Sequence, residues 1–368
     1  MTTIAELIQE KKVVVCCGAG GVGKTTVSAS LALAAARQGR RVLVVTIDPS
    51  KRLAETLGVS RNPPEPVPVS PEALREAGVE PPGQMHAWML DPSLVTERVV
   101  RRFAPDDATA EELLRNRMYR NISGIVAGMQ EYTAVEALYG FVKDDRFDLI
   151  ILDTPPSRNA LHFLEAPVRA LGFLDGRIFT VFLPGEKNLL RRAAARLAET
   201  VLDAAFGKET RDELQIFLQG ISVVLSQVKG DVKEMQSFFR TDAVSFLLVT
   251  SPAPEAIAEA HYFEDKVSRD LDMRVGGYVL NGSLAHLSGH DFPAAELLPE
   301  GAPEAAHRAI EKLKTLARED AEAAKAHEAL LADLASRARG GIARALPRLP
   351  EAVSDLGAVT LLADALVI

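Results

Sequence analysis

The residues with the clearest chemistry form a run of eight, Gly18-Ala-Gly-Gly-Val-Gly-Lys24-Thr25, which fits the pattern GxxxxGK[ST]. Glycines at these spacings let successive backbone N–H groups converge on the oxygens of a polyphosphate. A helix opening directly after them adds the positive end of its dipole. In such a loop the lysine ammonium reaches the β- and γ-phosphates and the threonine hydroxyl binds Mg²⁺. The run therefore predicts a Mg·ATP site contacted by Gly18, Gly20, Gly21, Val22, Gly23, Lys24, Thr25 and Thr26. Lys24 is also expected to act in catalysis.

Two carboxylates follow apolar runs. Asp48 comes after Val42–Ile47 and precedes Pro49, and Asp153 comes after Leu149–Leu152. A carboxylate at the carboxyl end of a parallel strand faces the crevice where ligands bind. Asp153 stands where a phosphate-loop protein needs a Mg²⁺ partner, so Thr25 and Asp153 are the expected metal residues. Hydrolysis also needs a group to orient the attacking water, and Asp48 is the candidate. The plainer alternative is that each aspartate only caps the segment after it.

Positioning these groups requires buried strands. Val13–Cys17, Val42–Ile47, Leu149–Leu152, Phe246–Val249 and Val275–Leu280 are short, continuous apolar runs rich in β-branched residues. Continuous rather than alternating runs are expected of parallel strands covered on both faces. His86–Leu90 is a sixth candidate, as an edge or additional strand. Helical stretches lie between the runs, beginning with Thr25–Gln38. Strand–helix alternation predicts an α/β fold, a doubly wound and mostly parallel sheet of the P-loop NTPase type with helical subdomain insertions. The chain is expected to be one such domain, with insertions at roughly 95–145 and 165–240. The proline-rich stretch Arg61–Pro82 reads as an exposed loop, and Ala305–Arg339, rich in Ala and charge, as a solvated helix.

Composition bounds the function. Of 368 residues, 47% are hydrophobic and 25% charged, which suits a large packed core. A net charge of −8 argues against non-specific contact with nucleic acid or anionic lipid. No apolar run reaches the roughly 18–20 residues that span a bilayer, and Met1 to Lys12 lacks the pattern of a secretory signal. A cytoplasmic protein without an intrinsic membrane anchor is the expectation. The only cysteines, Cys16 and Cys17, are adjacent within one apolar run. Strand neighbours point to opposite faces, so buried thiols are expected rather than a metal site.

Taken together, Gly18 to Thr26, Thr46-Ile-Asp-Pro-Ser50 and Leu152-Asp-Thr-Pro-Pro156 resemble the arsenite-pump and guided-entry (tail-anchored protein targeting) family of ATPases. Leu90-Asp-Pro-Ser93, Ala160 to Pro167, Val279-Leu-Asn281 and Leu346-Pro-Arg-Leu-Pro350 follow in the family's order across nearly the whole chain. The resemblance implies that Asp48-Pro49 is switch I, with Asp48 aligning water, and that Asp153 to Ala160 is switch II. It implies that Asn281 hydrogen-bonds adenine and that Pro347 or Pro350 packs on the base. It also implies a dimer that closes on ATP and couples hydrolysis to the handling of a client by helical subdomains.

The chain departs from this family in three places. Ala19 stands where the family has a signature lysine that crosses the dimer interface, a contribution comparable to a positioned cation worth roughly 10³–10⁵ in rate. Slow hydrolysis, another cation (Lys51, Arg52 or Arg158) or a lysine-bearing partner subunit would each account for it, so homodimer and heterodimer with a lysine-bearing paralogue both stay open. No CxxC lies between Ser283 and Arg344 to bridge a dimer through zinc. Metalloid capture requires thiolates that Cys16 and Cys17 do not offer. For the client, the stripe Leu114, Met118, Ile122, Ile125, Met129 suits a helix face that is either core or a groove. The leading expectation is an ATP-driven switch that handles a protein client, a membrane protein among the options. The alternative is an ATPase subunit of an anion or metalloid transporter. A spatial-positioning ATPase of the Min type would need a basic amphipathic C-terminal helix, and Glu351–Ile368 holds no Lys or Arg.

Overall fold

A computed structural model describes residues 3–47, 52–59 (of Arg52, the backbone only), 65–90, 97, 100–102, 104–116, 119, 137–156, 161, 213, 216–217, 234–289, 303–338, 341–349 and 355–367. The chain divides into two compact units. One comprises Met1–Met89, Phe147–Ser157 and Asp242–Ile368, and the other Leu90–Arg146 and Arg158–Thr241.

The first unit holds eight strands: β1 (Val13–Cys17), β2 (Arg41–Thr46), β3 (Val67–Pro68), β4 (Gln84–Met89), β5 (Leu149–Asp153), β6 (Val244–Thr250), β7 (Val275–Ser283) and β8 (Ile342–Pro347). They form one sheet in the order β3-β4-β2-β5-β1-β6-β7-β8. Every pairing is parallel except the two-residue edge strand β3 on β4. All five residues of β1, of β5 and all seven of β6 are buried, which is why these strands read as unbroken apolar runs. β1 lies between β5 and β6. Its connection to β2 runs toward one edge while β6, β7 and β8 extend toward the other. The strand order therefore reverses at the carboxyl end of β1, where an open α/β sheet leaves a crevice for ligands.

Helices cover the sheet. α1 (Ile4–Glu10) opens with a reciprocal capping box, in which Glu6 N–H donates to Thr3 Oγ1 (3.1 Å) and Thr3 N–H to Glu6 Oε2 (2.8 Å). α2 (Lys24–Arg37) follows the glycine-rich loop. It buries almost its whole length because Ala29, Ala32, Ala34, Ala35 and Ala36 allow close approach on several sides. α3 (Arg52–Leu57) and α4 (Pro71–Glu76) precede β4. The second unit contains α5 (Asp107–Arg115), capped by Asp106 Oδ1, which accepts from Thr109 N–H at 2.7 Å. Back in the first unit, α6 (Pro254–Arg269) joins β6 to β7. α7 (Glu304–Arg337) is a 34-residue helix, about 51 Å long at 1.5 Å per residue. Its carboxyl half is the anchored part: Ala324 and Leu334 are buried, and His327 Nδ1 accepts from Leu284 N–H at 3.0 Å.

Several expectations change. His86–Leu90, read as an edge or an additional strand, falls largely in β4 (Gln84–Met89), an additional strand one in from the edge. Arg61–Pro82 is not simply an exposed loop. Among its described residues it contains β3 and α4, with Val69, Leu74 and Val79 buried against the sheet. Isolated apolar residues among prolines conceal their burial from any periodic reading. β8 was not expected as a strand, because only Ile342 and Leu346 of its six residues are buried. Of the stripe on the second unit, Leu114 lies in α5, and Met118, Ile122, Ile125 and Met129 lie outside the described residues, as does most of 165–240.

The C-terminal helix α8 (Leu356–Val367) closes the core over α2. Val359, Leu362, Ala363 and Leu366 are buried, Arg37 Nη1 meets Asp364 Oδ1 at 2.6 Å, and Arg344 Nε donates to Ala365 O at 2.8 Å. The helix that begins at the glycine-rich loop therefore depends on the end of the chain for its packing. Leu362→Ala should lower stability by about 2–5 kcal/mol, read as a lower urea midpoint with an unchanged slope.

Candidate functional site

The glycine-rich loop leaves β1 beside the carboxyl ends of β6 and β7. A Cβ on Gly18 would lie 2.0 Å from the Val249 carbonyl oxygen, so no side chain fits where the loop departs. Gly23 adopts φ +91° as the residue before α2, a left-handed conformation that glycine takes without steric cost. Having no side chain, Gly23 cannot cap α2. The first-turn N–H groups are thus left to an anion, and the helix dipole favours one there.

Register brings the acidic partner to the same place. In the β2–β5 ladder Thr46 stands opposite Asp153, and in the β1–β5 ladder Cys16 stands opposite the same aspartate. Asp153 is fully buried. Its Oδ2 accepts from Thr25 Oγ1 at 2.7 Å and from Thr46 Oγ1 at 3.0 Å. Burying a carboxylate is costly without such donors. Its own backbone continues the assembly: Ile47 N–H donates to Asp153 O at 3.3 Å, which ties the exit of β2 to the exit of β5. Thr154, next along, is held on β1 through Cys16 O, which accepts its N–H at 3.3 Å and its hydroxyl at 2.8 Å.

Lys24 is buried at the start of α2, and its Nζ donates to Ala19 O across the loop at 2.8 Å. Ala19 itself is only 8% exposed, so its methyl packs inward. Val22 is buried, while Gly20 and Gly21 are exposed at the loop crest, and Thr26 lies on the first turn of α2. Asn281, near the end of β7, donates from Nδ2 to Val22 O at 2.9 Å. Pro347 ends β8 and pairs with Ser283 of β7, next to the strand end that carries Asn281. The structure thus brings Gly18 to Thr26, Asp153, Asn281 and Pro347 to one end of one sheet. Asp48, Pro49, Lys51, Arg158 and Pro350 lie outside the described residues, as does the side chain of Arg52. Thr46 and Thr154 were not singled out from sequence. The one signal available was their place beside the aspartates of Thr46-Ile-Asp and Asp-Thr-Pro.

The donor set suits a hard divalent cation. Thr25 Oγ1 and Asp153 Oδ2, 2.7 Å apart, approach the roughly 2.9 Å edge that adjacent ligands make around an octahedral ion with bonds of about 2.0–2.1 Å. Among the described residues no three His, Cys, Asp or Glu side chains are grouped to hold an ion. A cation here would take phosphate and water oxygens for its remaining positions, as Mg²⁺ commonly does. The cysteines are unsuited to soft-metal chemistry. Both are buried, and burial pushes the Cys16 thiol up to about 12 and raises that of Cys17 likewise.

The family model described as anion-transporting ATPase matches residues 11–284, which include the loop, Thr46, Asp153 and Asn281. The chain belongs to the anion-transporting ATPase family. An arsenical pump-driving ATPase of Acidiphilium multivorum is 28% identical over 249 residues, covering 66% of this chain and 40% of the relative. The ATPase get3 of Schizosaccharomyces pombe is 28% identical over 162 residues, 43% of this chain and 45% of the relative. The ATPase GET3C of Arabidopsis thaliana is 25% identical over 274 residues, 69% of this chain and 62% of the relative. The chain thus spans less than half the length of the first two of these relatives. Membership of the anion-transporting ATPase family accords with the eight-stranded, mostly parallel sheet. Among the described residues no helix is long and apolar enough to cross a membrane.

Two loop glycines should respond differently to a methyl group. Gly21 has φ +80° but open space around its Cβ position, whereas Gly18 would meet the Val249 backbone at 2.0 Å. Gly21→Ala should cost about 1–2 kcal/mol through backbone strain alone. Gly18→Ala should cost more, because β6 or the loop must shift. Denaturant midpoints of the two variants measure the difference.

Proposed function

We propose that the chain binds Mg·ATP in the loop Gly18 to Thr25 and hydrolyses it. The observation that carries this reading is the pairing of Thr25 Oγ1 with the buried Asp153 Oδ2, placed under a glycine-rich loop at the point where the strand order reverses. Backbone N–H groups of the loop and of the first turn of α2 bind the phosphates, and the Lys24 ammonium exchanges Ala19 O for the β- and γ-phosphate oxygens. Thr25 and Asp153 would hold Mg²⁺, which would supply charge neutralisation for the phosphate oxygens. Asp48 orients a water for attack on the γ-phosphorus. As the new P–O bond forms, the bond to the β,γ-bridging oxygen breaks, ADP leaves with that electron pair, and the water's proton passes to a phosphate oxygen or to solvent. Asn281 and Pro347 lie beside the loop on the β7–β8 side, where they suit contact with the base.

In this reading the site works as a switch. Ile47 N–H on Asp153 O, and Thr154 on Cys16 O, join the exits of β1, β2 and β5, so a change around the γ-phosphate reaches the segments after Thr46 and Asp153 together. The protein acts as a dimer that closes on ATP and moves a protein client, as the resemblance of its motifs to the guided-entry ATPases implies. A second reading, an ATPase subunit of an anion transporter, is favoured by the family description and by the relative from Acidiphilium multivorum. The two buried thiols weigh against a metalloid as the anion.

The test is ATP binding and phosphate release with and without Mg²⁺, in the protein and in Lys24→Ala. Mg²⁺-dependent turnover that falls by two or more orders of magnitude in Lys24→Ala is expected, and absence of ATP binding by calorimetry overturns the reading. Ala19→Lys, with its melting temperature as a folding control, addresses the missing cation. A much faster variant that dimerises more tightly with ATP points to a lysine-bearing partner subunit. Equal rates in equally dimeric proteins point to a cation within this chain.

A further inference from the structure

The end of β7 is built differently from the other strand ends. In the β7–β8 ladder Leu280 pairs with Ala345 but Ser283 pairs with Pro347, so β7 uses one more residue than its partner between these points. The extra residue is a bulge at Asn281 and Gly282, with Gly282 at φ +70°. Bulges turn a side chain away from the direction the pleat would give it. Below the bulge β7 is locked on β8, and above it Arg348 N–H donates to Ser283 O at 3.2 Å. The side chain so redirected is Asn281, and its amide lies against the phosphate loop.

Two measurements describe that contact. Asn281 Nδ2 donates to Val22 O at 2.9 Å, and a Cβ on Gly23 would lie 2.2 Å from the same nitrogen. The amide is therefore hydrogen-bonded to one end of the Val22–Gly23 peptide and in contact with the other. A trans peptide is planar, with its C=O and N–H pointing in opposite directions. Holding the Val22 carbonyl consequently sets the direction of the Gly23 N–H, one of the donors at the entrance to α2. Gly23 would otherwise let this peptide rotate easily, because glycine occupies positive and negative φ about equally.

We propose that Asn281 is a positioning residue for the phosphate loop: its amide holds the Val22–Gly23 peptide in the orientation that polyphosphate binding requires, independently of any contact with a base. The inference rests on the proposed ATP site for its functional consequence, and on the β7 bulge and the Val22 contact for its geometry. It makes a part of the sheet distant in sequence responsible for the shape of the loop.

The experiment compares ATP with inorganic tripolyphosphate, which lacks base and sugar, as calorimetric ligands for the protein and for Asn281→Ala. A clamp on the loop predicts that both dissociation constants rise by a similar factor, roughly fivefold to tenfold for one lost hydrogen bond. A tenfold loss for ATP with tripolyphosphate unchanged assigns Asn281 to the base and overturns the proposal, as does no change for either. Hydrogen exchange in the nucleotide-free protein tests the clamp whether or not any polyphosphate binds. Faster exchange at Gly23 in Asn281→Ala, with exchange in β1 unaltered, is expected, and an unaltered Gly23 rate overturns the proposal. Asn281→Ser, whose hydroxyl is too short to reach Val22 O, gives the same reading should the alanine variant fold poorly. A wild-type protein that binds neither ligand overturns the ATP reading alone and leaves the exchange result to decide the clamp.

Discussion

A carboxylate shut away from water at the end of β5 sets the terms for everything around it. Asp153 is fully buried, and removing an ionised group from solvent is costly unless donors replace the lost water. Here the hydroxyls of Thr25 and Thr46 converge on the same oxygen, one from the first turn of α2 and one from the neighbouring strand. That convergence requires β2 and β5 to be in register at Thr46 and Asp153, and α2 to begin directly over them. A one-residue slip of β2 or β5 would turn Thr46 or Asp153 to the opposite face. The same arrangement that satisfies Oδ2 leaves two hard oxygens side by side at the carboxyl end of the sheet.

The loop above the carboxylate is shaped from three sides. Val249 of β6 lies so close to Gly18 that only a glycine can leave β1 there. Asn281 of β7 lies against Gly23 at the other end of the loop. Lys24 crosses back to Ala19 O within it. The glycines thus serve two purposes, close approach at one end and a left-handed turn into a helix at the other. α2 in turn is held down by α8, which places residues from both ends of the chain in one packing unit. Loop, metal-type oxygens and terminal helix are thus joined through α2, most of whose residues are buried.

Much of this was legible in the residues. Five of the strands announce themselves as apolar runs, because burial on both faces leaves no polar alternation to disguise them. The phosphate loop and Asp153 are readable because a chemical requirement limits which residue types can stand there. Elements half exposed or very short were not legible: β8 buries two residues, and β3 is two residues long and follows a proline-rich stretch. α1 carried a usable signal, Thr3 followed three residues later by Glu6, which is the pattern of a capping box.

By itself the sequence determined the chemistry on offer: a glycine-rich loop ending in lysine and threonine, two aspartates following apolar runs, and no thiol pair able to grip a soft metal. These follow from residue type and local spacing, which do not depend on the rest of the fold. Only the tertiary structure decided which groups meet. Thr46 became a partner of Asp153 through strand register, 107 positions away. Asn281 was turned onto Val22 by a bulge in β7, 259 positions from it. Contacts of this kind are set by ladder pairing and close packing, which are properties of the assembled sheet and leave no periodic trace in the chain.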